Sequence, residues 1–127
     1  VVVDLGCGTG LLTRDLAVGG RCVFGVDPSS AMLAVARRGE GAERVTWVEG
    51  YGNALQAWDA DLAVMTGNVA QIFLEEEDWH ATLRDLHRSL RPGGVLAFES
   101  RNPTARAWEQ WNCAATFTRT EMPYGPL

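Results

Sequence analysis

The stretch Val1-Val2-Val3-Asp4-Leu5-Gly6-Cys7-Gly8-Thr9-Gly10 decides the reading of this chain. Three β-branched valines and Leu5 make a short apolar run, the pattern of a buried strand. Asp4 lies at its end. Glycines alternate at Gly6, Gly8 and Gly10, and Leu11-Leu12-Thr13-Arg14-Asp15-Leu16 starts a helix. Strand, glycine-rich turn and helix is how an α/β domain builds a nucleotide site. Glycine lets the backbone approach a ligand, and the start of the helix offers unpaired N–H groups.

Working outward, apolar strands and helical segments alternate. Val1–Asp4 is the first strand. Leu12 and Leu16 share a face of the first helix, which Gly19-Gly20 ends. Arg21–Val26 reads as a second strand closed by Asp27, and Ser29 or Ser30 caps a helix over Ala31–Arg38. Arg44–Glu49 and Ala60–Thr66 read as strands three and four. Glu76–Leu90 is a long helix: Trp79, Leu83, Leu86 and Leu90 form one apolar stripe, and Glu75–Asp78 put acids at its positive end. Arg91-Pro92-Gly93-Gly94 is expected to end it as a turn before a fifth strand, Val95–Glu99. Asn102-Pro103-Thr104 can open a further helix carrying Ala107, Trp108 and Trp111, and a strand is expected near residues 117–120. The order β-α-β-α-β-β-α-β predicts an α/β fold, a three-layer αβα sandwich with a mostly parallel, Rossmann-like sheet. Residues 1–112 are expected to form its core and 113–127 to start a substrate-side or C-terminal sheet segment. The chain starts with Val inside a strand, so it is read as an excerpt truncated at both ends.

Composition bounds the partners. The 127 residues suit one domain, and the hydrophobic share of 46% and charged share of 21% are ordinary for a globular protein. A net charge of −5 disfavours nucleic acid, whose binders usually present a basic face. Cys7, Cys22 and Cys113 make an odd set without CxxC spacing, so a reducing compartment, the cytoplasm, is expected and a zinc site is not. No apolar run reaches the roughly 20 residues that span a bilayer, and no signal-peptide pattern is present. Nothing in the sequence speaks to oligomeric state.

Ligands of open parallel sheets sit beyond the carboxyl ends of the strands. Those ends carry Asp4 and the Gly6–Gly10 turn, then Asp27, then Gly50-Tyr51-Gly52, then Thr66-Gly67-Asn68, then Glu99. Asp27 follows the glycine turn by roughly twenty residues, where a carboxylate accepts from a ribose diol; alone it reads equally as a turn residue before Pro28. The dinucleotide fingerprint GxGxxG is not met, because its third glycine falls on Leu11. An acid next to the turn, Asp4, suits a cationic ligand end better than a pyrophosphate.

These residues resemble a known family. Asp4-Leu5-Gly6-Cys7-Gly8-Thr9-Gly10 is similar to motif I of the class I S-adenosylmethionine-dependent methyltransferases. Gly25-Val26-Asp27-Pro28-Ser29 resembles their acidic motif after strand two, and Leu90-Arg91-Pro92-Gly93-Gly94-Val95-Leu96 resembles the turn before strand five. The resemblance covers residues 1 to about 100 and implies S-adenosyl-L-methionine as cofactor, with a methyl passed to O, N or C of an acceptor, expected to be a small molecule. By implication Gly6, Cys7, Gly8 and Gly10 form the cofactor turn and Asp4 fixes the amino group, directly or through water. Asp27 binds the ribose, Pro28 and Met32 lie near adenine, and Thr66 and Asn68 face the methionine end. One departure stands out. The family often has Gly-Asp-Ala after strand three, its Asp accepting from the adenine amino group; here the sequence reads Gly50-Tyr51-Gly52. Tyr51 can stack on adenine, bond through its hydroxyl, or be a surface residue.

Other signals carry less. His80 and His87 are too far apart for a helical metal pair, and no metal is expected. Cys7 has no base beside it in sequence and reads as a small side chain filling a tight turn. Trp108 and Trp111 read either as core or as a wall of the acceptor pocket. No catalytic base is identified; Glu99 and Asn68 are nearest, and both read as structural or binding residues. Two other classes remain: an NAD-dependent oxidoreductase, disfavoured by Leu11, and a cofactor-binding module without catalysis, which the unusual Tyr51 fits.

Overall fold

The structure, a computed structural model, describes residues 1–117. Strands β1 (Val2–Leu5), β2 (Val23–Asp27), β3 (Val45–Glu49), β4 (Ala60–Met65) and β5 (Leu90–Phe98) form one sheet in the order β3-β2-β1-β4-β5. Every neighbouring pair is parallel. Helices α1 (Leu11–Leu16), α2 (Ser30–Ala36) and α3 (Glu76–Ser89) connect them, and α4 (Cys113–Thr116) is a single turn. The chain leaves β1 for β2 on one side and later returns to β4 on the other. The switch point therefore lies at the carboxyl end of β1, where the glycine turn begins.

Alternation along the strands assigns the layers. Val3, Leu5, Val26, Ala63 and Met65 share one buried cluster with Leu86 of α3. Val2, Val23 and Val45 point the other way, against Leu16 of α1, Ala17 just beyond it, and Trp47. Helices thus cover both faces, and the expected sandwich is observed. The buried residue of α1 is Thr13, with Ala17 buried just beyond it, and not the predicted Leu12, which is 39% exposed. Trp47 lies across the strands toward the turn: a methyl group built on Gly10 would be 2.3 Å from its ring. Ser29 caps α2, its hydroxyl accepting from Met32 N at 3.3 Å. Helix α3 has acids in its first turn and His87 and Arg88 in its last, matching its dipole.

Two predicted elements differ. The strand after α3 starts at Leu90, which pairs with Ala60; pairing resumes only at Leu62 and Val95. Arg91–Gly94 is therefore an irregularity inside β5 rather than a turn before it. Pro92 has no N–H to give the ladder and Gly93 has φ +80°, features tolerated in β5, which pairs only with β4 among the described residues. The helix expected after Asn102 is instead two 3₁₀ turns, Pro103–Ala105 and Ala107–Gln110, separated by Arg106 at φ +46°. Trp108 and Trp111 are 52% and 55% exposed, so the described residues do not bury them. Beyond Phe117, the strand expected near residues 117–120 lies outside the described residues. Among the described residues no helix is long and apolar enough to cross a membrane.

Candidate functional site

The turn after β1 is held by local sequence. Gly6, Gly8 and Gly10 have φ values of +79°, +54° and +72°. At Gly6 the requirement is double: the left-handed conformation disfavours a side chain, and a Cβ there would lie 2.2 Å from Val69 Cγ2. At Gly8 a Cβ would meet nothing, so only φ and the open face above it constrain the residue.

Asp27 ties this turn to the next strand. Its Oδ2 accepts from Gly8 N at 2.8 Å and its Oδ1 from Ser29 N at 2.9 Å. The side chain is 8% exposed and cannot swing away without losing both bonds. Each carboxylate oxygen keeps a further lone-pair direction for a ligand hydroxyl. Asp27 O also accepts from Gly50 N at 3.1 Å, which brings the loop after β3 beside it.

Asp4 is deeper. It is 2% exposed, and its Oδ2 accepts from Thr13 Oγ1 of α1 at 2.6 Å. Burial pushes its carboxyl above the usual range, the Thr13 hydroxyl opposes this, and the Asp27 charge adds to it. The same surroundings act on Cys7: burial first, then the Asp4 and Asp27 charges, push its thiol up to about 12. It is therefore a neutral thiol at physiological pH and no nucleophile, consistent with a turn-filling role.

A cavity of about 690 Å³ opens beside the turn. This is within the range of small-ligand sites. Leu5 and Gly6 form its floor, Pro28 and Gly50–Asn53 one wall, and Val69 and Ile72–Glu75 another. Helix α3 closes it with Asp78, Ala81, Thr82 and Asp85. Of the sequence-predicted positions, Gly6, Pro28, Gly50 and Tyr51 line the cavity. Asp27, Gly8, Cys7 and Gly10 do not line it: Asp27 holds Gly8 next to the lining residues Gly6 and Pro28, Gly10 faces Trp47 and Ala36, and Asp4 is buried on Thr13. Met32 is 46% exposed on α2 and does not line it. Tyr51 is 68% exposed, at the rim.

Thr66 and Asn68 belong to the neighbouring edge between β4 and β5. Gly67 N donates to Glu99 Oε1 at 2.8 Å, so Glu99 holds the loop. Arg101 Nε donates to Asn68 Oδ1 at 2.9 Å, and its guanidinium lies 4.3 Å from the centre of the Trp111 ring. His80 and His87 are both exposed on α3.

Sequence reasoning missed the α3 wall and the apolar segment Val69–Leu74. The signal was present for the helix: Asp78, Ala81, Thr82 and Asp85 recur at helical spacing on one face. That face is polar, though, and so reads as solvated until Gly50–Asn53 is seen opposite it.

The comparisons agree with this geometry. The family described as "Methyltransferase domain" matches residues 2–94. The malonyl-[acyl-carrier protein] O-methyltransferase of Pectobacterium atrosepticum is 34% identical over 114 residues, covering 86% of this chain and 44% of that protein. The cypemycin N-terminal methyltransferase of a Streptomyces species is 35% identical over 104 residues, covering 80% of this chain and 42% of that protein. Among solved structures, an S-adenosylmethionine-dependent methyltransferase from Mesorhizobium loti superposes with a TM-score of 0.66 at 32% identity, covering 80% of this chain and 47% of that one. The chain thus spans less than half the length of these relatives. With the glycine turn, the Asp27 clasp, the strand order and these matches all in agreement, the chain belongs to the class I S-adenosylmethionine-dependent methyltransferase family.

Proposed function

We propose that this domain binds S-adenosyl-L-methionine and serves methyl transfer to a nucleophilic O, N or C atom of a small molecule. The observation that carries the reading is Asp27. It is a buried carboxylate fixed by Gly8 N and Ser29 N, beside a cavity floored by Gly6. That combination fits a ribose diol with its base extending past Pro28 toward Gly50. The glycine turn brings backbone close to the ligand, and Asp4 contributes negative potential behind the turn, favourable to an ammonium group.

When bound, the cofactor supplies a methyl already activated on a sulfonium, so the protein's contribution is alignment and exclusion of water. Asp27 and the Gly6–Gly10 turn fix the nucleoside. Thr66 and Asn68, on a loop held by Glu99 at Gly67 and by Arg101 at Asn68, shape the edge toward the acceptor, and Trp111 stands as a wall of that side. Glu99 is occupied by Gly67 N and serves structure there. A base is needed only for an acceptor that carries its proton at working pH.

The two curated relatives are named for methylation of different groups, one an O-methyltransferase and one an N-terminal methyltransferase. The shared segment thus supports the cofactor reading and does not choose the acceptor. The acidic balance supports a small molecule over nucleic acid, and three cysteines outside any disulfide support a reducing, cytoplasmic setting. We take residues 1–112 as the cofactor core and 113–127 as the start of a substrate-side segment. Incubating the intact protein with methyl-labelled cofactor and a panel of small acceptors tests the activity. Label transfer to one class of acceptor is expected. Cofactor binding without transfer to any acceptor would favour the non-catalytic module.

A further inference from the structure

We propose that Asp85, on α3, is the specificity residue that reads the exocyclic amino group of the cofactor's base. This inference rests on the reading of the cavity as a nucleoside site. The loop after β3 offers no carboxylate: it runs Gly50-Tyr51-Gly52-Asn53, and the Tyr51 side chain stands at the rim, largely in solvent. Packed beside this loop, α3 places Asp85 on the cavity lining.

Three observations single it out from the other acids lining the cavity. First, its side chain is only 17% exposed, whereas Glu75 and Asp78 are exposed residues. Second, it is oriented. Its Oδ1 pairs with Arg88 Nη2 at 2.9 Å, and Arg88 in turn donates to Leu55 O at 3.1 Å, anchoring the pair to the loop after β3. Third, its Oδ2 accepts no hydrogen bond from any described residue and lies against Gly52. A methyl group built on Gly52 would be 3.3 Å from that oxygen, so the glycine leaves the space the carboxylate uses.

The chemistry follows from the donor inventory. An ionised carboxylate only accepts, and Oδ2, which no described residue supplies with a donor, is open to one from the cavity. Oδ2 therefore favours a ligand edge that donates. A base carrying an amino group at that edge satisfies it. A base carrying an oxo group there sets two acceptors against each other, with no donor for either. The site thereby selects an adenosyl over an inosyl ligand from helix α3, in place of a strand-three loop.

The test uses S-adenosylhomocysteine and its 6-oxo counterpart, S-inosylhomocysteine, titrated calorimetrically into the intact protein. The wild type is expected to prefer the amino ligand by about tenfold or more, the size of a hydrogen bond to a charged group. Asp85→Asn, which keeps the shape but can donate, is expected to reduce that preference to about threefold or less, with its melting temperature reported alongside. Equal binding of both ligands by the wild type would overturn the inference without any variant. So would a full preference retained in Asp85→Asn, or a preference lost in Asp78→Asn instead. Wild-type protein that binds neither ligand would overturn the nucleoside reading itself, a result distinct from binding without discrimination.

Discussion

The two halves of the carboxyl edge are built differently. On the β1–β2 side, the two buried carboxylates are tied to partners. Asp27 clasps Gly8 and Ser29, Asp4 is buried on Thr13, and the turn's glycines take positive φ, with no space for a Cβ at Gly6 or Gly10. On the β4–β5 side the contacts are fewer and exposed. Glu99 holds Gly67, Arg101 holds Asn68, and Trp108, Trp111 and Phe117 show 52–71% of their surfaces. A site that must present one unchanging ligand profits from preorganisation, because ordering is then not repeated on binding. The β4–β5 edge, proposed above to face the acceptor, is held by fewer contacts among the described residues. This matches relatives that share the segment yet are named for different acceptors.

The contrast is open to mutation. The largest effect is expected at Gly6→Ala. Strain at φ +79° and a methyl 2.2 Å from Val69 should together cost about 3 kcal/mol, read as a fall in melting temperature and loss of cofactor binding. A small change there would mean that the turn is not rigid. Asp27→Ala should weaken S-adenosylhomocysteine binding by more than about tenfold; unchanged affinity would remove Asp27 from the site.

Thr13→Val sharpens the comparison through pH. It removes the hydroxyl that stabilises the Asp4 carboxylate and should cost about 1 kcal/mol at neutral pH. Asp4's folded pKa is already raised, so the native state binds its proton more readily than the unfolded chain. The stability linked to that proton is fully present below the unfolded value near 3.8 and is lost as pH rises through the folded one. The variant, whose carboxyl rises further, should therefore lose less stability at acidic than at neutral pH. Thermal melts of both proteins across that range check the sign. The smallest effect is expected on the other half. Arg101→Ala breaks only exposed contacts to Asn68 and Trp111 and should cost about 0.5 kcal/mol. A loss comparable with Gly6→Ala would erase the distinction between the halves.

What the sequence shows tracks the same division. The β1–β2 half is legible because its constraints are local. Glycines needing positive φ lie within one turn, and a carboxylate ends the next strand at a spacing that topology brings alongside. Leu11 could exclude the dinucleotide pattern for the same reason. Asp4 was visible, but not its direction: pleating turns it toward Thr13 on the α1 face, while Leu5 lines the cavity. The role proposed for Asp85 is illegible in the sequence because it depends on a loop more than two dozen residues earlier in the chain. On a helical wheel it is one more charge on a polar face. After β5 the failure was of another kind. Trp108 and Trp111 have helical spacing, yet the positive φ of Arg106 splits the expected helix into two 3₁₀ turns.

The central claim is that the Asp27 clasp and glycine turn form an S-adenosylmethionine site rather than a dinucleotide site. The most direct measurement is calorimetric titration of the intact protein with S-adenosylhomocysteine and, separately, with NAD. Saturable binding of S-adenosylhomocysteine and none of NAD is the predicted result. Binding of NAD alone would contradict the account.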